Sequence, residues 1–95
     1  MPRDEGGNVV GKGDMRAQIE QVGKNVDACL KVAGASVEDI VFTVTQVTNP
    51  TELDKYPDLL AHYFGPPSPK SSTEPVPQLS DPNYLLEVEA FAAVK

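Results

Sequence analysis

Apolar positions in this chain follow two different periods. Between residues 15 and 33, Met15, Ile19, Val22, Val26, Cys29, Leu30 and Ala33 recur three and four apart, and Arg16, Glu20, Lys24, Asn25, Asp27 and Lys31 fall between them. One apolar stripe results, which predicts an amphipathic helix with Cys29 packed inside as a small hydrophobe. Asp14 stands where an N-cap belongs, and Gly34 follows where a left-handed residue closes a helix at little cost. Residues 40–47, "IVFTVTQV", are mostly β-branched and largely apolar, which predicts a strand buried on at least one face. Leu53, Tyr56, Leu60, Tyr63 and Phe64 then return to helical spacing, with Gly65 as the stop. Pro57 conflicts with a helix capped at Thr51, because it would remove the hydrogen bond to the Leu53 carbonyl; a loose first turn or a start nearer Tyr56 is expected.

The stretch "GPPSPKSSTEPVPQLSDP" predicts an irregular loop or an edge strand interrupted at Pro75 and Pro77. Tyr84 to Val94 is strongly apolar and reads as the last strand. The opening "MPRDEGGNVVGKG" holds four glycines and a proline, so residues 1–13 are expected to form a flexible arm outside the core, with one domain over 14–95. Helix, strand, helix, weak strand, strong strand is an α+β order, with two helices on one face of a small sheet.

Alternation along the last strand sends Tyr84, Leu86, Val88, Ala90, Ala92 and Val94 one way and Leu85, Glu87, Glu89, Phe91 and Ala93 the other. The first set suits a core. The second is too apolar for a solvated face and too charged for a helix-covered one, as at a subunit contact that also lines a cleft. Two readings of Glu87 and Glu89 stand side by side: charges that keep an edge strand soluble, or a carboxylate in a half-apolar cleft that acts on a water as a general base. Carboxylates two apart on one strand cannot flank a sugar bond from both sides.

Composition narrows the chemistry. A net charge of -6, from 14 acidic and 8 basic residues, offers no basic stripe to nucleic acid or to an anionic membrane. One cysteine and one histidine, Cys29 and His62, leave disulfides, zinc sites and Ser-His-Asp triads within the chain without support, and no cofactor is implied. His62 reads as a surface residue near a helix C-terminus, and Tyr56, Tyr63 and Phe64 as core or interface anchors. No apolar run approaches the roughly 20 residues of a membrane span, and "MPRDEGG" lacks the regions of a signal peptide. A cytoplasmic setting is expected, with a mitochondrial one also compatible.

Three segments carry a resemblance: "GDMRAQIEQVGKNVDACLKVAGASVEDIVFTVTQVT", "YFG" and "VPQLSDPNYLLEVEAFA". In this order and at these separations they resemble the RidA (YjgF-like, reactive intermediate deaminase) family from about Gly6 to Val94. Gln18, Asn25, "AGAS" and the "EVEA" close at 87–90 are the specific pieces. The resemblance implies a fold like that of chorismate mutase and a homotrimer with a small-molecule cleft at each subunit interface. It also implies hydrolysis of 2-imino acids to 2-keto acids and ammonia. In active members an arginine on the penultimate strand grips the substrate carboxylate, and the glutamate matching Glu87 positions the attacking water. Here the arginine position falls on Ser71, with Lys70 one residue earlier, and a cleft asparagine falls on Pro57. Family domains usually begin with two further strands ahead of the segment that this chain matches; if these 95 residues are the whole protein, a sheet edge here needs some other cover.

Two functions follow as expectations. One is an enzyme acting on imines, enamines or another carbonyl intermediate, with Glu87 on the water and Lys70 in place of arginine, binding carboxylate as a point charge. The other is a non-catalytic trimeric protein whose Ser71, Ser72 and Thr73 bind a neutral, hydroxylated or carbonyl ligand.

Overall fold

The computed structural model describes residues 1–64 and 71–93. Helix α1 spans Met15–Val32; the Asp14 side chain accepts the Ala17 N–H at its start. At its end the Gly34 N–H bonds to the Lys31 carbonyl and the Ala35 N–H to that of Leu30, an arrangement that needs the positive φ of 77° found at Gly34. A short 3-10 turn at Val37–Asp39 leads into β1, Ile40–Val47.

The second helical region is two helices. Asn49, not Thr51, caps α2 (Pro50–Leu53) by accepting the Glu52 N–H at 3.2 Å. The chain breaks at 54–56 and resumes as α3, Pro57–Phe64, whose first residue is the proline. There its missing N–H costs nothing, because the first turn of a helix has no acceptor for it. The expected conflict at Pro57 is thus resolved by a break in the helix.

Strands β2 (Ser72–Pro75) and β3 (Leu86–Ala92) flank β1 in the order β2-β1-β3. β2 runs parallel to β1, with Val44 beside Ser72 and Gln46 beside Glu74; β3 runs antiparallel, with Val44 beside Glu89 and Gln46 beside Glu87. Pro75 is tolerated because β2 is an edge strand and ends there. Pro77 lies beyond it, and Gly65 and Val94 fall outside the described residues.

Met15, Ile19 and Val22 of α1 pack with Leu53, Val47 and Leu86 to form the core, joined by partly buried Tyr56, Leu59, Leu60 and Phe64. Helices therefore cover the sheet face that carries Val47 and Leu86. Tyr63 packs against Gly23: a Cβ added there would stand 2.2 Å from the Tyr63 ring. The aromatic residues are core anchors, as expected, while His62 is exposed in the last turn of α3.

Two expectations need correcting. Cys29 is exposed, as is Ala33, and Val32 reaches 91%. Val26 packs on the core and Leu30 is buried, so in its last turns α1 is covered on one side only, and Cys29, Val32 and Ala33 lie outside that contact. Residues 1–13 are also not outside the core, since Pro2 is fully buried. Arg3 and Val9 form a bridge, and Asn25 donates to the carbonyls of Met1 and Arg3 at 2.8 Å each. Arg3 pairs with Asp81 at 3.0 Å and donates to the Tyr84 hydroxyl. Glycine-rich composition permits such a turn as readily as a free arm.

Candidate functional site

Residues directly paired across strands share a face, so the register defines the helix-free side of the sheet. Phe42, Val44 and Gln46 of β1 lie there with Ser72 and Glu74 of β2 and Glu87, Glu89 and Phe91 of β3. Phe42 and Phe91 stack with centroids 5.3 Å apart, and Phe91 remains 48% exposed. A cavity of about 320 Å³ opens on this face, lined by Val44, Gln46, Glu87, Val88, Glu89 and Met1.

Glu87 is half-buried and Glu89 exposed. The Ser80 hydroxyl donates to Glu87 Oε1 at 2.8 Å, which fixes one oxygen and leaves Oε2 with no protein donor among the described residues. A carboxylate so held can accept a proton from a bound water while its orientation stays constant. Gln46 beside it brings an amide with both donor and acceptor.

The register separates the other expected site residues. Ser72 is on the helix-free face, two strands from Glu89 across Val44. Thr73 is paired with Thr45 and points to the opposite side. Ser71 precedes β2 and is exposed; Lys70 lies outside the described residues. Three participants escaped the sequence reading. Gln46 and Glu74 form a row with Glu87 only once the pairing is known. Ser80 lies seven residues before Glu87 in the loop that precedes β3, and its hydroxyl carries no local signal of that contact.

Gln18 explains the geometry behind the site. Its side chain is fully buried; Nε2 donates to the carbonyls of Gly11 (3.1 Å) and Asn83 (2.7 Å), and Oε1 accepts from the Leu85 N–H at 2.7 Å. One amide therefore ties the N-terminal segment and α1 to the start of β3, two residues before Glu87. Among the described residues no group of His, Cys, Asp and Glu could hold a metal ion, and no helix is long and apolar enough to cross a membrane.

Known proteins share the fold that carries this face. A RutC family protein of Pyrococcus horikoshii is 30% identical over 92 residues, covering 97% of this chain and 72% of its own length. Reactive Intermediate Deaminase A, chloroplastic, of Arabidopsis thaliana is 34% identical over 77 residues, which is 81% of this chain and 41% of that protein. A crystal structure of a conserved Rid family protein from Yersinia pestis superposes with a TM-score of 0.86 at 36% identity, over 98% of this chain and 74% of that one. The α+β fold is thus shared with Rid proteins. Residues 1–94, the arm included, match the Endoribonuclease L-PSP family, and the chain belongs to it, as a Rid/YjgF protein.

Proposed function

We propose that this protein hydrolyses small imines or enamines, 2-imino acids among them, to the carbonyl compound and ammonia, with Glu87 acting on the attacking water. The observation that carries this reading is the half-buried Glu87 carboxylate in a cavity on the helix-free sheet face, oriented by Ser80 at 2.8 Å. The water oxygen bonds to the imine carbon as its proton passes to Glu87. That proton returns to the nitrogen to give a carbinolamine; its hydroxyl proton then passes through Glu87 to the nitrogen as the C–N bond breaks, and ammonia leaves a carbonyl behind. A relative named as a reactive intermediate deaminase supports the reaction class.

The same face is proposed to assemble the protein as a homotrimer with a ligand cleft at each interface. Phe42, Phe91 and Val44 supply its apolar contact and the carboxylates its polar rim. Ser72 is the described hydroxyl placed to meet a ligand oxygen, and the setting is the cytoplasm.

Ammonia release from imines generated by an amino-acid oxidase tests the reading. Glu87→Gln keeps the shape and can still accept from Ser80 but cannot take a proton, so kcat is expected to fall by about 100-fold. Equal rates for the two proteins remove Glu87 from the reaction. A second reading, a trimeric protein that binds a neutral carbonyl ligand without turnover, is favoured by one feature: no arginine or lysine is among the described residues that line the cavity. Saturable binding of a neutral ketone with no ammonia release from either protein would establish it, and binding of the carboxylate 2-ketobutyrate at micromolar affinity would argue against it.

A further inference from the structure

The Arg3 guanidinium engages three separate acceptors. Nε donates to the Tyr84 hydroxyl, Nη1 to the Gly7 carbonyl at 2.6 Å and Nη2 to Asp81 Oδ2 at 3.0 Å, and the group stands 5.3 Å from the centroid of the Tyr84 ring. Arg3 is itself held, because Asn25 of α1 donates to its carbonyl and its backbone is bridged to Val9. Arginine suits this place: a planar fork reaches several acceptors in fixed directions, whereas an ammonium is a point charge.

Two of the acceptors begin and end one turn. The Tyr84 N–H bonds to the Asp81 carbonyl at 3.0 Å, and the second Asp81 carboxylate oxygen accepts the Asn83 N–H at 2.8 Å. Arg3 thus clips the side chains of residues 81 and 84 together from outside the turn. Gln18 holds the far end, at Asn83 and Leu85; Arg3 holds the start. Ser80 stands directly before it. Ser80 is exposed, and among the described residues its side chain bonds only to Glu87. A loop residue with so little packing of its own takes its place from its neighbours. Leu79 is buried on one side, and Asp81 is fixed by Arg3 on the other.

We propose that Arg3 is a positioning residue for Glu87. Its hold on Asp81 and Tyr84 keeps the Ser80 hydroxyl on Glu87 Oε1, and so keeps the carboxylate in one orientation toward the cavity. The kinetic consequence rests on the reaction proposed above; the contact itself does not. A merely structural ion pair would lower stability without singling out Ser80.

Two readouts test this with Arg3→Met, which keeps an unbranched stem and removes every donor. In NMR spectra of the whole chain, a nuclear Overhauser contact between Ser80 Hβ and Glu87 Hγ is expected in the wild type. It is expected to be lost in Arg3→Met while the amide signals of α1 and β1 are retained. In ammonia release, Ser80→Ala and Arg3→Met are each expected to lower kcat about tenfold with KM unchanged. The double variant is expected to be no slower than either alone, because both changes remove the same bond. Absence of the contact from the wild type, or its persistence in Arg3→Met, overturns the proposal, and so do losses that multiply in the double variant. If the wild type releases no ammonia, the reaction proposed for the site fails, and the NMR contact alone decides the role of Arg3. If Arg3→Met does not fold, Asp81→Asn takes its place in both readouts with the same results expected, since it keeps an acceptor for the Asn83 N–H but presents no charge to Arg3.

Discussion

Gln18 ties together distant parts of the chain through one buried side chain. Its three bonds join segments 7, 65 and 67 residues apart in sequence; the Gly11 carbonyl also accepts from the Asp14 N–H, but the Asn83 carbonyl and the Leu85 N–H have no other partner among the described residues. Methionine has nearly the same shape but cannot make these bonds, and an unsatisfied buried backbone group costs about 1–3 kcal/mol. Gln18→Met is therefore expected to lose about 3 kcal/mol or more in urea unfolding, and a loss below about 1 kcal/mol would show that water replaces the amide. Both carboxylates of "LLEVEAF" were legible as candidates, and the structure separates them: Glu87 has Ser80 and partial burial, Glu89 has solvent. Cys29 was misplaced because a helical stripe records which residues share a side, not whether anything is packed against them.

At the scale of elements, α1 and β1 were legible because their apolar periods are long and unbroken. The α2–α3 break was half legible, since Pro57 announced a conflict but Asn49 and Pro50 decided where the first helix begins. Strand β2 could not be read firmly from "SSTEPVP", because a four-residue edge strand with every residue exposed has no apolar alternation to display. The packing of Tyr63 on Gly23 between α3 and α1 also left no mark in the sequence. Alanine normally favours a helix interior over glycine by about 1 kcal/mol. At position 23 its Cβ would lie within 2.2 Å of the Tyr63 ring, so Gly23→Ala is expected to destabilise by about 1–3 kcal/mol despite its better propensity. Thermal unfolding checks the sign: a rise in Tm would mean that α3 moves away from α1 without penalty.

The described residues form a small domain with one exposed face that carries aromatic residues. A chain of 95 residues buries only about 60–65% of its unfolded surface, so exposed apolar area is a significant share of what could stabilise it. That surface is the helix-free sheet face with Phe42, Phe91 and Glu87, where assembly and chemistry are proposed to coincide. The mixed face of the last strand was legible in the sequence, but its neighbours could be specified only by strand register. Sedimentation equilibrium of the native protein tests that face most directly. The wild type is expected at three times the 10.2 kDa of the chain, and Phe91→Asp, which puts a charge into the aromatic pair, at the mass of one chain with its circular dichroism unchanged. A wild-type protein that sediments as a single chain at micromolar concentration would contradict the shared assembly and cleft surface.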